Sequence, residues 1–326
     1  MPEPSSPKRR GRLFRCGAAF VALLAVAGYL VVQYVTGGSG GPGCKVVSGK
    51  GDGASYEFTP EQAVNAATIT AVGTARGLPE RAVTIALATA LQESALRNIS
   101  HGDRDSLGLF QQRPSQGWGT PKEIMDPTYS AGEFYEHLVK VPGYTRLPLT
   151  VAAQRVQRSG FPQAYAKHEP DAALLAAALT GQSAATLTCE GRPAATRASG
   201  PDGVRAALVR DFGRDVLEPA GAAVGGPSAA TPAPSPSGTG GTGGRTVTLP
   251  VTADPGTAAG RGPDRRGWQL AHWAVANASE LHIERVTYAG REWVAGNTAS
   301  QWRDSPAKGT AGAERAADAV RIVTMG

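Results

Sequence analysis

From residue 79 the chain reads PERAVTIALATALQES, and its apolar positions fall on every side of a helix rather than along one stripe: Ala82, Val83, Ile85, Ala86, Leu87, Ala88, Ala90 and Leu91. A helix that is apolar all round belongs in the middle of a domain, so the pattern predicts a central core helix. One carboxylate, Glu93, stands at its end. At spacings near whole turns Glu93 shares a face with Ala82, Ala86, Thr89 and Ala90. Small residues on that face let other elements pack close around the carboxylate. Partial desolvation disfavours the charged form and raises the pKa, which keeps a proton available near neutral pH. The bland reading of Glu93 is a helix-end side chain reaching water.

The same reading extends along the chain. Thr59-Pro60-Glu61-Gln62 has the order of a capping box with proline at the first helical position. It predicts a helix through Ala63, Ala66, Ala67 and Thr70 that stops at Gly77. Asp126-Pro127 starts another, through Ser130, Phe134 and Leu138, and further helices are expected at 150–157, 172–179 and 202–217. A polar loop, GDRDS, lies at 102–106, and then come Leu107, Gly108, Leu109, Phe110, Gln111 and Gln112. Near the C-terminus, Trp268, Leu270, Ala271, Val275 and Leu281 suit a helix, IERVTYAGREWVAG alternates around Ala289-Gly290 like a hairpin, and VRIV at 320–323 completes a small α+β module.

At the other end, Lys8, Arg9, Arg10, Arg12 and Arg15 precede an uncharged run at 16–36. At about 1.5 Å per residue this run spans roughly 30 Å, enough to cross a bilayer. Basic residues before it orient the N-terminus to the cytoplasm and the remainder outside, a single-pass plasma-membrane topology. A cleaved signal peptide is the rival, but the run exceeds the usual apolar length of about 7–15 residues. The organisation read from the sequence is a basic tail at 1–15, a transmembrane anchor at 16–36, a Gly-rich spacer at 37–54, a mainly α domain at 55–190, a helical extension at 191–218, a Pro/Gly/Ser/Thr linker at 219–263 and the α+β module at 264–326.

Charge changes this picture little. Five basic residues against Glu3 give the first fifteen positions +4 of the formal +6, leaving +2 for the rest. The basic balance is therefore a topogenic signal rather than a nucleic-acid footprint. Cys44 and Cys189 flank the helical domain on the outer side, where disulfides persist, and are expected to pair; the alternative is two free thiols. Neither they nor the five His show a zinc-site spacing, so no metal or cofactor is expected.

The stretch 86–112 is where the chemistry is expected. Its order is Glu93-Ser94, then the polar loop, then Ser106-Leu107-Gly108-Leu109-Phe110-Gln111. This resembles the lysozyme-like superfamily, in particular soluble lytic transglycosylases and goose-type lysozymes, in an actinobacterial membrane-anchored form. The resemblance covers roughly residues 55–190, with a small β element expected around 102–112. It implies a lysozyme-like helical domain that cleaves peptidoglycan glycan strands, with Glu93 as general acid and then general base and no cofactor. It also implies sugar contacts by Ser94, Ser106, Gly108, Leu109, Phe110 and Gln111.

Trp118, in a Gly-flanked loop, either stacks on a sugar ring or closes the core edge. Asp103 and Asp105 are candidates for positioning a water, as an inverting hydrolase requires at roughly 6.5–9.5 Å from the acid; turn formation is the other reading of both. The superfamily's Ala-x-x-Tyr-Asn-x-Gly element has no residue-by-residue counterpart at 152–157. The C-terminal module, with Tyr288-Ala289-Gly290-Arg291-Glu292-Trp293, resembles the small terminal domain of actinobacterial wall hydrolases, from which no activity follows. The expected partners are glycan strands and the membrane. The competing reading is a lysozyme-like protein without turnover that serves as a binding or scaffold component of a cell-wall or secretion assembly.

Overall fold

The computed structural model describes residues 43–161, 163–196, 198–217, 243–251, 263–296, 301–305 and 319–326. The expected basic tail and membrane span lie outside them, as does most of the expected linker. No described helix is long and apolar enough to cross a membrane.

Eight α-helices and two antiparallel sheets are present among the described residues. Helix α1 (Pro60–Ala75) begins with the capping box expected from sequence: Thr59 Oγ1 accepts from the Gln62 amide and Gln62 Oε1 accepts from the Thr59 amide. Helix α2 (Glu80–Ser94) is the core helix, with Ala82, Val83, Ile85, Ala86, Leu87, Ala88 and Ala90 inaccessible to solvent. Around these two stand α3 (Pro121–Ile124), α4 (Pro127–Val139), α5 (Leu149–Gln157), α6 (Glu169–Leu179) and α7 (Gly200–Phe212). Asp126 caps α4 as its sequence suggests, accepting from the amides of Thr128 and Tyr129.

The three-stranded sheet lies outside the 102–112 segment expected to hold a β element. The 102–112 segment contributes a single bridge, Leu107 to Gln112. Strands β1 (Cys44–Val47), β2 (Ser55–Phe58) and β3 (Leu187–Cys189) form the sheet instead, in the order β2-β1-β3. Strand β1 thus takes four residues of the stretch read as a spacer. Cys44 and Cys189 are direct partners across β1 and β3 and are joined by a disulfide over 145 positions.

The C-terminal part contains β4 (Thr246–Pro250), α8 (Pro263–Ala276), β5 (Ile283–Tyr288), β6 (Arg291–Val294), β7 (Arg303–Asp304) and β8 (Ala319–Thr324), with sheet order β4-β8-β5-β6-β7. The β5–β6 hairpin turns at Ala289 and Gly290, both with positive φ (47° and 71°), the geometry of a two-residue primed turn. Strand β4 lies inside the stretch read as linker; its alternating Val247 and Leu249 are buried, and Pro250 is tolerated on an edge strand.

The described residues from 43 onward pack as one unit. The Trp293 and Trp302 indole nitrogens donate to the carbonyls of Cys189 and Leu187, so the C-terminal sheet seats on β3. Helix α8 is held from two sides. His272 Nδ1 donates to the Ala178 carbonyl while its Nε2 accepts the Thr186 amide, and burial pushes the imidazole down to about 4. Asp211, buried on α7, accepts from Trp273 Nε1, Thr68 Oγ1 and Arg210 Nε.

Candidate functional site

Glu93 is the penultimate residue of α2, and the chain turns sharply after it. Ala95 and Leu96 both adopt left-handed backbone (φ 53° and 59°), a conformation that costs a non-glycine residue about 1 kcal/mol or more. Two amides hold the turn: Gln62 Nε2 donates to the Ala95 carbonyl and Asn65 Nδ2 to that of Leu96, each at 2.8 Å. The Leu96 side chain is fully buried beneath it. The last turn of α2 therefore has one defined geometry, and Glu93 with it.

Two side chains meet the carboxylate. Tyr165 donates its hydroxyl to Glu93 Oε1 at 2.7 Å, and the Gln157 amide is a second hydrogen-bond donor. Gln157 Nε2 also donates to the Phe110 carbonyl at 2.7 Å, so this amide ties the end of α5 to the loop beside the acid. Desolvation raises the Glu93 pKa, and the hydrogen bonds from Tyr165 and Gln157 oppose that shift without cancelling it. The negative end of the α2 dipole acts in the same direction as the desolvation. Tyr165 is fully buried, and burial together with the neighbouring carboxylate pushes its phenol well above the usual range, so it remains a neutral donor. On the preceding residue, Gln92 Oε1 lies 3.2 Å from His168 Nε2.

The 102–112 segment closes against the end of α2. Ser94 Oγ lies within hydrogen-bond distance of the Leu109 carbonyl (2.8 Å) and of Ala90 O, so this buried hydroxyl fastens the loop to the helix. Leu107 and Gln112 exchange backbone hydrogen bonds, and the chain reverses between them through Gly108 (φ 75°) and Gln111 (φ 48°). A Cβ at Gly108 would come 2.7 Å from the Ile124 carbonyl oxygen, so both the turn and the packing demand glycine. Leu109 and Phe110 are fully buried, with Phe110 stacked on Phe134 at 4.6 Å between centroids. Ser106 is buried as well. Of the sugar contacts that the resemblance implies, the side chains of Ser94, Ser106, Leu109 and Phe110 thus face the protein interior, and Gly108 offers only backbone. Gln111 is half-buried, with Nε2 donating to the Gly108 carbonyl.

The two aspartates differ in their surroundings. Asp105 accepts from Arg113 Nε and from the Ser115 amide, both at 2.8 Å, and these donors hold its carboxyl far below the usual carboxylate range. Asp103 has a side chain 94% exposed, with only a 4.0 Å approach to Arg104. Trp118 is half-buried and stacks on His137 at 4.3 Å, which covers one of its faces. Among the described residues no group of three or more His, Cys, Asp or Glu converges as a metal ion would need.

Sequence reasoning did not single out Gln157 and Tyr165. No periodicity marks a residue that acts across the fold.

Residues 236–315 match the family model described as VldE, C-terminal domain. The VldE match covers β4 to β7 and α8 and leaves Glu93 and the helical body outside it. No curated protein matches the chain.

Proposed function

We propose that this protein is a membrane-anchored, extracytoplasmic lysozyme-like enzyme that cleaves peptidoglycan glycan strands, with Glu93 as its single acid and base. The observation that carries this reading is the Glu93 carboxyl: partly desolvated, pKa raised, fixed by a defined helix end and met by two neutral donors. Such a group gives its proton to the glycosidic oxygen as the bond to the anomeric carbon breaks. The resulting carboxylate is held by Tyr165 and Gln157 and then takes the proton of the sugar's 6-hydroxyl as that oxygen closes on the anomeric carbon. The product is a 1,6-anhydro end, and no water is consumed.

The aspartates favour this non-hydrolytic course. Asp105 is committed to Arg113 and Ser115, and Asp103 projects into solvent. Anchoring rests on the uncharged run at 16–36 behind five basic residues.

Incubation of the full-length protein with purified peptidoglycan, followed by mass spectrometry, tests the reading. Muropeptides with anhydro ends are expected. Hydrolysed ends would shift the chemistry to a water-activating muramidase, and undigested glycan would favour the scaffold role.

A further inference from the structure

The chain leaves α5 at Gln157, whose amide meets Glu93, and comes back at Tyr165, whose hydroxyl meets Glu93. The described residues between them, 158–161 and 163–164, therefore belong to a connection with both feet on the same carboxylate. Its geometry is tied internally. Arg158 takes left-handed backbone (φ 51°) as its amide donates to the Gln154 carbonyl, and Gln154 Nε2 donates to the Ser159 carbonyl at 2.7 Å. The Phe161 amide donates to Ser159 Oγ, the Ala164 amide donates to the Phe161 carbonyl, and Ser159 also bonds the Tyr165 hydroxyl.

Phe161 stands at the middle of this loop, four residues from either foot, and is 77% exposed, against 48% and 40% for the other exposed large apolar residues, Val139 and Val47. A single exposed apolar side chain is ordinary in itself; its position is what distinguishes this one. Four residues reach at most roughly 14 Å, which bounds how far the backbone of Phe161 lies from either foot. Among the described residues no ring stacks on it, whereas Trp118, the aromatic that the sequence suggested as a platform, has a face taken by His137. His137 itself feels the charge of Arg158 at the first foot of the loop.

We infer that Phe161 is a sugar-binding residue, an aromatic platform at the mouth of the Glu93 site that stacks on the apolar face of a pyranose ring of the glycan strand. This rests on the glycan-cleaving reading and adds a contact to it. A flat ring suits a neutral saccharide, because the C–H face of a pyranose is apolar while its hydroxyls stay in water. Stacking on such a face is specific to ring shape, and an aliphatic side chain of similar bulk cannot reproduce it.

The test uses full-length protein carrying Glu93→Gln, which keeps the site but does not cleave, and titrates it with a β-1,4-linked N-acetylglucosamine hexamer by calorimetry. Phe161→Ala and Phe161→Leu in this background should each weaken binding about tenfold or more, while Phe161→Tyr and Phe161→Trp bind as the parent does. In the enzyme with Glu93 intact, Phe161→Ala should raise KM with kcat little changed, the mark of a binding contact. The ring is already in solvent, so unchanged thermal melting is expected and guards against a folding artefact. Parent-like binding by Phe161→Ala overturns the proposal, and parent-like binding by Phe161→Leu overturns stacking as its basis. If the Glu93→Gln parent binds neither the hexamer nor purified glycan strands, the glycan-cleaving reading itself fails, a result distinguishable from failure of Phe161 alone.

Discussion

The hydroxyl of Tyr165 donates to Oε1 of Glu93 at 2.7 Å, across 72 positions of sequence. The bond favours the charged carboxylate and so partly offsets the desolvation that raises the Glu93 pKa. Replacing Tyr165 by Phe removes the donor and keeps the ring. The Glu93 pKa should rise further, and since the proposed mechanism needs the protonated acid, the alkaline limb of the pH–rate profile should move to higher pH. The lost bond should also cost about 1–2 kcal/mol of stability near neutral pH. A limb that stays in place or moves to lower pH would show that Tyr165 does not tune the acid.

Glu93→Gln keeps the shape and accepts from Tyr165 but has no proton to give. General acid catalysis contributes about 10²–10⁴ in rate, so cleavage of peptidoglycan should drop by at least that order while the fold persists. Stability carries a definite sign. A carboxyl whose folded pKa is raised gives its full stability below the unfolded pKa and loses it as pH rises through the folded one. The variant should therefore match the wild type in acid and become relatively more stable toward neutral pH. Near-normal turnover would sink the assignment of the acid.

Asp103→Asn and Asp105→Asn should separate. Asp103 projects into solvent, and its replacement should leave both stability and turnover unchanged. Asp105 anchors Arg113 and the Ser115 amide, and its depressed pKa means that its contribution is present above the unfolded carboxylate pKa and fades as pH falls through the folded one. Asp105→Asn should thus lower the melting temperature at neutral pH by an amount that shrinks in strong acid, with anhydro products still formed. Loss of all turnover in Asp103→Asn, with folding intact, would instead point to a water-activating carboxylate.

The Cys44–Cys189 bond closes a loop of 145 positions, for which chain entropy alone assigns about 5 kcal/mol, an upper figure for most disulfides. Reduction acts at a second place as well, because the Cys189 carbonyl accepts from Trp293 and the neighbouring Leu187 carbonyl from Trp302. Cys44→Ser/Cys189→Ser should melt at lower temperature, and limited proteolysis should cut the C-terminal module sooner than in the oxidised protein. Unchanged melting and proteolysis after full reduction would remove the bond from any part in holding the module.

What the sequence determined by itself is what short-range physics encodes. The all-apolar run made α2 a core helix with Glu93 at its end, Thr59 and Gln62 capped α1, Asp126 capped α4, and Ala289-Gly290 turned the β5–β6 hairpin. Each of these is decided by neighbours within one or two turns of chain. Pairing of Cys44 with Cys189 was legible from their flanking positions in the sequence.

Tertiary structure decided the rest. Strands β1 and β3 have four and three residues, too few for a period to declare itself, and they exist because they pair with each other and with β2. The Gly-Leu-Phe-Gln segment became a tight loop because positive φ at Gly108 and Gln111 leaves room for one bridge only, which sends Leu109 and Phe110 into the core. Gln157 and Tyr165 reach Glu93 from the two ends of a loop whose own sequence carries no sign of that destination. A hydrogen bond between distant residues depends on how helices pack, and packing is a property of the whole chain rather than of any window along it.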